Sequence, residues 1–421
     1  MRYCTLFLYI ILSLETMNAQ FVANYDESKV PEFDLPDPLT TFAKKEVQTS
    51  FAWNKLRRPE LISFFETEVY GKVPGEIDAI AFEVLEERNS ALRDRAKRKQ
   101  VKVTLTKKGK TLSFTMLLYL PKQIALNGLF LGYNFHGNHT VTDDPEIIIS
   151  KAWSLNNESI GITNNTLTEA NRGKRSSRWA IAKMIEAGYG LATIYYGEID
   201  PDKNDFTDGI HPLFYAEDQK RPAKDEWGSI GAWAWALSRA MDYLEEDTET
   251  TQKPVVVFGH SRLGKAALWA GATDTRFSGV ISNDSGCGGA ALSKRRFGET
   301  VARINESFPY WFSGNFKKFN NAEEHLPVDQ HELLALIAPR PLYVASARED
   351  EWADPRGEFL SSFNATPVYE LFGKKGISSN QMPNVNSPIL NTVAYHVRTG
   401  KHDVTAYDWE QYIKWALMHF N

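Results

Sequence analysis

The residues with the clearest chemical potential lie where an apolar segment meets a turn that contains glycine. Residues 255–269 read VVVFGHSRLGKAALW, and Ser261 stands between the apolar residues and a helix-forming stretch. A strand–turn–helix of this kind presents a serine hydroxyl above the edge of a sheet, and the backbone amides that follow can stabilise an oxyanion. The pattern therefore predicts a nucleophilic serine that attacks a carbonyl group.

The glycine spacing around this serine leaves other interpretations open. The usual nucleophile turn is G-x-S-x-G, whereas here position 263 is Leu and the second glycine is Gly264. Gly259, Gly264 and Lys265 also fit the phosphate-binding pattern G-x-x-x-x-G-K, but the next residue is Ala266 rather than the Ser or Thr that would bind Mg²⁺. A turn without chemistry is the third interpretation. We favour the nucleophile because an acid and a base follow it.

The acid and the base occur in the order that hydrolases of this type use. Asp350 follows one predicted strand, and His402 follows the last predicted strand, just before the final helix. In such a triad the histidine takes the serine proton and a carboxylate orients the imidazole. Asp284 also follows a strand, so it is either a second candidate for the acid or a turn-forming residue. The sequence leaves the choice between Asp350 and Asp284 open.

The elements that must position these residues form a mixed α/β pattern. Residues 78–120 alternate with period two, and segments 101–105 and 112–120 flank a Lys-Gly-Lys turn, which predicts an antiparallel hairpin. Farther along, short apolar runs alternate with amphipathic stretches, as in a mostly parallel sheet with helices on both faces. Buried strands are predicted over residues 129–135, 190–195, 254–258, 280–283, 341–346 and 393–397. Helices are predicted over residues 177–187, 227–245, 264–272, 355–362 and 407–420.

Composition excludes several classes of protein. The chain has 421 residues and a formal net charge of −5, so it is not a polybasic nucleic-acid binder. Hydrophobic residues make up 43% of it, which is enough to bury a core. The basic run at residues 93–99 is interpreted as a solvated face or loop. The spaced histidine and cysteine ligands of a metal site do not occur, so neither a metal nor another cofactor is predicted.

The N-terminus resembles an export signal. Arg2 is followed by a twelve-residue apolar stretch, shorter than the roughly 18 residues that span a bilayer, and Ala19 ends a small-residue cleavage pattern. We therefore expect residues 1–19 to be removed on export to the periplasm or the medium, with no membrane span. Residues 20–421 are predicted to form one catalytic domain. Its first 30 residues are expected to run along the surface as an arm.

Two motifs together resemble a known enzyme family. The segment GHSRLGKAA around Ser261 and the segment NDSGCGGAA at residues 283–291 are similar to those of the bacterial glucuronoyl esterases of carbohydrate esterase family 15. The similarity covers nearly all of residues 20–421 and extends to the ETEVYG, WADP and His402 segments. The family's own G-x-S-R-x-G-K pattern also accounts for the shifted glycine.

The resemblance implies a fold, a reaction and roles for individual residues. It implies an α/β-hydrolase fold and hydrolysis of the ester between (4-O-methyl-)D-glucuronic acid of glucuronoxylan and lignin alcohols. Ser261 would be the nucleophile, His402 the base and Arg262 an oxyanion-stabilising residue. Members of the family place the acid either where Asp284 stands or where Asp350 stands. The residues that would contact the sugar are Lys265, Glu299 and Trp352.

Other functions remain as alternatives to this interpretation. An acetyl xylan esterase or a general carboxylesterase would use the same triad, and a non-catalytic carbohydrate-binding protein could share the scaffold. His136 stands where hydrolases place a second oxyanion loop, although an ordinary turn explains it equally well. We expect a monomer that acts on a glucuronoxylan–lignin ester.

Overall fold

The computed structural model describes residues 21–420, so the predicted leader lies outside the described residues. Within these residues, nine strands form one sheet in the order β1-β2-β3-β5-β4-β6-β7-β8-β9. Neighbouring strands pair antiparallel from β1 through β2 and β3 to β5. They pair parallel from β5 through β4, β6, β7 and β8 to β9. The strands are β1 Ala79–Ala91, β2 Ala96–Lys107, β3 Lys110–Pro121, β4 Gly128–Asn134, β5 Tyr189–Tyr195, β6 Val255–His260, β7 Gly279–Asn283, β8 Leu342–Ala347 and β9 Val393–Arg398. The predicted mixed, mostly parallel sheet with an antiparallel start is confirmed.

Helices cover both faces of this sheet. The helices are α1 Ser50–Ala52, α2 Arg58–Phe65, α3 Ile181–Glu186, α4 His211–Phe214, α5 Ser229–Glu246, α6 Arg262–Thr273, α7 Val301–Ser307, α8 Gln330–Ala335, α9 Pro355–Leu371 and α10 Ala406–Phe420. The cluster of buried side chains on one face includes residues of α5, α6, α8 and α9, and the cluster on the other face includes residues of α3 and α10. Alternating residues of β4 divide between the two: Leu129 and Leu131 belong to the first cluster and Phe130 to the second. This two-sided burial explains why the parallel strands are continuous apolar runs.

Three local predictions need correction. The helix predicted over residues 177–187 is shorter, because Ser176–Arg178 form a separate 3-10 turn before α3. The helix predicted over residues 355–362 instead continues through Pro367 to Leu371.

Within residues 21–420, each helix is too short or too polar to cross a lipid bilayer.

The basic run at residues 93–99 is the third correction, because its last two residues are buried. Arg98 is 1% exposed and pairs with Glu86 at 2.8 Å, with Glu146 at 2.7 Å and with Asp144. Lys99 likewise pairs with acidic residues that follow α5. A charged run thus enters the sheet because each buried cation finds carboxylates that offset its desolvation. Charge alone does not reveal such partners.

Candidate active site

The turn between β6 and α6 holds Ser261 in a conformation that few residues adopt. Its backbone has φ 57° and ψ −131°, and its amide donates to the Asn283 carbonyl oxygen at 2.9 Å. A side chain at Gly259 would collide with the Leu263 carbonyl oxygen, and one at Gly264 would crowd Ser285. Both glycines are therefore required by close backbone approach, and the unusual spacing follows from the packing of this turn. Strain of this kind is typical of functional serine turns.

His402 and Asp350 form a hydrogen-bonded pair beside this serine. His402 Nδ1 lies 2.5 Å from Asp350 Oδ2, and Asp350 is 6% exposed. Ser261 and His402 line the same cleft, and the His402 ring centroid is 4.5 Å from that of His260, the residue before the serine. Since the carboxylate occupies Nδ1, Nε2 is the imidazole nitrogen that remains for a serine proton.

Asp284 lies close to the same pair but is bonded differently. Its Oδ1 accepts a hydrogen bond from the Ala347 amide at 2.7 Å, and its Oδ2 lies 3.5 Å from Arg398 Nη2. Burial raises the pKa of the Asp284 carboxyl well above its usual range, and the nearby carboxyls of Glu358 and Asp350 raise it further. Asp284 therefore favours the neutral form, whereas Asp350 makes the direct bond to His402.

The question of a metal ion arises at this same cluster. Within residues 21–420, Asp284, Asp350 and His402 form the group whose possible ligand atoms are close enough to share an ion, within 4.8 Å of one another. The direct bond between His402 and Asp350 already uses the imidazole Nδ1 and one carboxylate oxygen. His402 and Asp350 therefore meet each other as a serine hydrolase requires.

Arg262, the residue after the serine, is held by a carboxylate that the sequence did not single out. Its guanidinium pairs with Asp202, which also accepts hydrogen bonds from Tyr310 and Trp311 at 2.8 Å each. The Trp311 ring lies 4.8 Å from the guanidinium carbon. Burial lowers the pKa of Arg262, but Asp202, Tyr196 and Tyr310 together raise it above its ordinary value, so the side chain keeps its charge beside the serine. The sequence indicates Asp202 only by its position, because it is an acidic residue that follows β5 at the carboxyl edge of the sheet.

Three further residues named by the resemblance line the cleft. Lys265 is 4% exposed and donates to the Ser285 carbonyl oxygen. Burial lowers the pKa of Lys265 and raises that of Glu299, and each residue opposes the shift of the other. Trp352 is 38% exposed. The cleft has a volume of about 300 Å³, within the usual range for small-ligand sites.

Glu358 is a second residue that sequence reasoning missed. Its Oε1 accepts hydrogen bonds from the amides of Ser285 and Gly286 at 2.8 and 2.9 Å, and its Oε2 accepts one from the Ser346 hydroxyl at 2.6 Å. Burial raises the pKa of Glu358 to about 8. This carboxyl fixes the loop that follows Asp284. Glu358 lies in the first turn of α9 and points inward to partners in other elements. No local sequence motif therefore marks it.

The structure separates His136 from the cleft. Its side chain lines a small neighbouring cavity together with Arg175, Arg178 and His260. Burial lowers the pKa of His136 to about 3, and the nearby arginines add to the effect. The imidazole is therefore neutral, and a role for its loop in binding the oxyanion stays a prediction.

Fold and site together define a class of protein. A mostly parallel sheet carries a strained serine turn after β6, and a hydrogen-bonded aspartate and histidine follow β8 and β9. Serine, acid and histidine also occur in that order along the chain. These features are those of the α/β-hydrolases with a serine–histidine–carboxylate site.

Comparison with known proteins identifies the family. Carbohydrate esterase MZ0003, from an unknown prokaryotic organism, is 50% identical over 94% of this chain and 92% of its own length. A solved structure of a promiscuous CE15 esterase from a marine bacterial metagenome matches with a TM-score of 0.89 and 49% identity, over 94% of this chain and 100% of the other. The glucuronoyl esterase of Solibacter usitatus matches with a TM-score of 0.88 and 46% identity over the same shares. A family model described as glucuronyl esterase, fungi, matches residues 189–373.

The chain therefore belongs to carbohydrate esterase family 15. The α/β-hydrolase fold expected from the two sequence motifs is confirmed, as is the family itself.

Proposed function

We propose that this protein is a serine esterase that hydrolyses esters of (4-O-methyl-)D-glucuronic acid on glucuronoxylan, with lignin alcohols as leaving groups. The observation that carries the proposal is one cleft that joins Ser261, His402 and Asp350 to the side chains of Lys265 and Glu299, which are of opposite charge. Family membership supports the same conclusion, since one similar structure is that of a glucuronoyl esterase.

The geometry supports a two-step reaction through an acyl-enzyme. His402 Nε2 accepts the Ser261 proton as the serine oxygen attacks the ester carbonyl, while Asp350 holds the imidazole through Nδ1. Negative charge then develops on the carbonyl oxygen, where the Arg262 guanidinium and the first amides of α6 stabilise it. The protonated imidazole gives its proton to the departing alcohol. Water, activated by the same histidine, then releases glucuronic acid from the serine.

Recognition of the sugar falls to three other residues that line the cleft. Lys265 is buried and Glu299 is half-buried, and these side chains of opposite charge can donate to and accept from pyranose hydroxyls. The half-open indole of Trp352 offers an apolar face on which a sugar ring can stack. We propose these three residues as the uronate-binding group.

Kinetics on a matched panel of esters tests the proposal. We expect kcat/KM for benzyl glucuronate to exceed that for benzyl galacturonate, since the C4 epimer displaces one hydroxyl in the sugar pocket. Ser261→Ala should lower the activity on benzyl glucuronate by about 10³ or more. An inactive parent whose Ser261→Ala variant still binds glucuronate would instead support a non-catalytic carbohydrate-binding protein.

A broader carboxylesterase is the second candidate, and one observation favours it. The similar structure from the marine metagenome is that of an esterase called promiscuous. Acetylated xylan and p-nitrophenyl acetate therefore belong in the same panel. A clear preference for these acetyl esters over benzyl glucuronate would make acetyl or general esterase activity the main function of the chain.

We also propose that residues 20–421 act as one monomeric catalytic domain that is exported after loss of residues 1–19. One continuous sheet within residues 21–420 supports the single domain. N-terminal sequencing of the protein recovered from the medium or the periplasm tests the cleavage site. Light scattering of the purified protein tests the monomer, and a mass of two chains would contradict it.

A further inference from the structure

The N-terminal arm, defined here as residues 21–29, lies against the part of the cleft that carries Glu299 and Trp352. The Asn24 carbonyl oxygen accepts a hydrogen bond from the Gly298 amide at 2.8 Å, directly before Glu299. The Phe21 ring meets the Trp352 ring edge-on, with centroids 6.2 Å apart. Two separate contacts thus connect the arm to two residues of the proposed sugar site.

Those two residues are themselves connected through their backbones. The Glu299 amide donates to the Trp352 carbonyl oxygen at 3.1 Å. A side chain at Gly298, whose φ is +63°, would collide with the same carbonyl. Any displacement of one segment therefore moves the other, so a contact on either segment influences both side chains.

A chain of ion pairs attaches the arm at its other end. Glu27 Oε1 lies 2.7 Å from Arg295 Nη2, and Arg295 Nε lies 2.8 Å from Asp354 Oδ2. Arg295 is 3% exposed, whereas the Glu27 side chain is 42% exposed. Asp354 also accepts from the Gly357 amide at the start of α9. The arm thus supplies a carboxylate to a buried guanidinium that holds the turn after Trp352.

The position of Phe21 distinguishes this contact from ordinary surface packing. Its ring lies between Trp352 and Arg303, whose guanidinium carbon is 5.4 Å from the ring centroid. The next residue, Val22, is 84% exposed. Within the arm, Phe21 is therefore placed to orient the Trp352 ring, and Val22 provides a matched control.

We propose that the N-terminal arm is a positioning element for Glu299 and Trp352, and that it raises the affinity of the cleft for the uronate ring without taking part in ester chemistry. This inference rests on the proposed function, because it assigns the arm to the sugar-binding side of that site. It predicts an effect on KM for sugar esters and none on esters without a sugar.

Steady-state kinetics of full-length point variants tests the proposal. For Phe21→Ala and Glu27→Gln we expect KM for benzyl glucuronate to rise about tenfold with kcat within about twofold of the parent. Both variants should hydrolyse p-nitrophenyl acetate as the parent does. The control Val22→Ala should match the parent on both substrates. The melting temperature of each variant is measured alongside.

Two results would overturn the proposal. Unchanged KM in both variants would show that the arm does not position the sugar site. An equal loss on both substrates, accompanied by a lower melting temperature, would show a purely structural arm. Failure of the parent itself to hydrolyse benzyl glucuronate is a different outcome, because it would overturn the proposed function together with the inference that depends on it.

Discussion

The two walls of the cleft are built in different ways. The strand-end wall, Ser261, Asp284, Asp350 and His402, follows the carboxyl ends of β6 to β9, which are neighbours in the sheet. The loop wall, Glu299, Phe308, Trp311 and Trp352, comes from the long connection between β7 and β8 and from the turn after β8. Backbone hydrogen bonds between neighbouring strands fix the strand-end wall. Side-chain ion pairs and the N-terminal arm hold the loop wall.

This difference separates chemistry from substrate choice. A sheet edge holds its residues rigidly, which suits a proton transfer that depends on small distances. A loop wall can change without disturbing the sheet. Variants of the strand-end wall should therefore slow every ester, and variants of the loop wall should discriminate between esters.

The largest effect is expected at the acid that contacts His402. Asp350→Asn removes the charge that stabilises the imidazolium and favours the wrong tautomer, so kcat should fall by about 10³–10⁴ on both benzyl glucuronate and p-nitrophenyl acetate. Asp284→Asn should cost less than about tenfold, because burial and the neighbouring carboxyls already raise the pKa of the carboxyl it replaces, and asparagine tolerates the φ of 45° at this position. Equal losses in the two variants would mean that the carboxyls share the role of acid.

A smaller effect is expected at Asp202, which acts through Arg262. Asp202→Asn keeps an oxygen for Tyr310 and Trp311 but removes the charge that holds the guanidinium. We expect kcat to fall by about 10–100-fold on both substrates, with little change in KM. A rise in KM for the glucuronate alone would instead place Arg262 in sugar binding.

The loop wall should respond in a substrate-dependent manner. Glu299→Gln removes the negative partner of buried Lys265, so KM for benzyl glucuronate should rise about tenfold while p-nitrophenyl acetate is hydrolysed as before. Glu351→Gln, an exposed acid beside Trp352, is the matched control and should change neither value. Equal losses of Glu299→Gln on both esters would contradict the division between the two walls.

The smallest effect is expected in the pH dependence of stability, through Glu358, which lies beside the strand-end wall. The folded pKa of Glu358 is about 8 against an ordinary value of 4.5, so the folded state binds this proton more tightly than the unfolded state. The contribution of Glu358 to stability is therefore fully present below about pH 4.5 and declines as the pH rises towards about 8. Glu358→Gln, which mimics the protonated form, should give a shallower fall of melting temperature across this range. Parallel curves for parent and variant would contradict the assignment.

The sequence predicted one wall better than the other for a physical reason. The apolar runs of β6, β8 and β9 indicate buried parallel strands, and Ser261, Asp350 and His402 follow them directly, so their convergence was predictable from the sheet alone. Glu299 and Trp352 lie in segments without periodicity, and only the family resemblance singled them out. Asp202, Glu358 and Arg98 were missed because each finds its partners far away in the chain. Side-chain pairing over such distances leaves no local pattern.

The choice between the two carboxylates illustrates the same limit. Asp284 and Asp350 both follow strands, so strand position does not separate them. The hydrogen bond that Asp350 accepts from His402 and the one that Asp284 accepts from the Ala347 amide depend on where each short loop turns. These turns are set by packing against Glu358 and Arg398, which the sequence did not connect to the site.

Active-site labelling shows whether Ser261 is the residue that carries the acyl group. The protein is treated with a fluorophosphonate that reacts with activated serines, digested, and analysed by mass spectrometry, with and without excess methyl glucuronate. We expect one label on the peptide that contains Ser261, protection by the glucuronate ester, and no label in Ser261→Ala or His402→Ala. A label on a different serine, or an active parent whose Ser261 stays unlabelled, would contradict it.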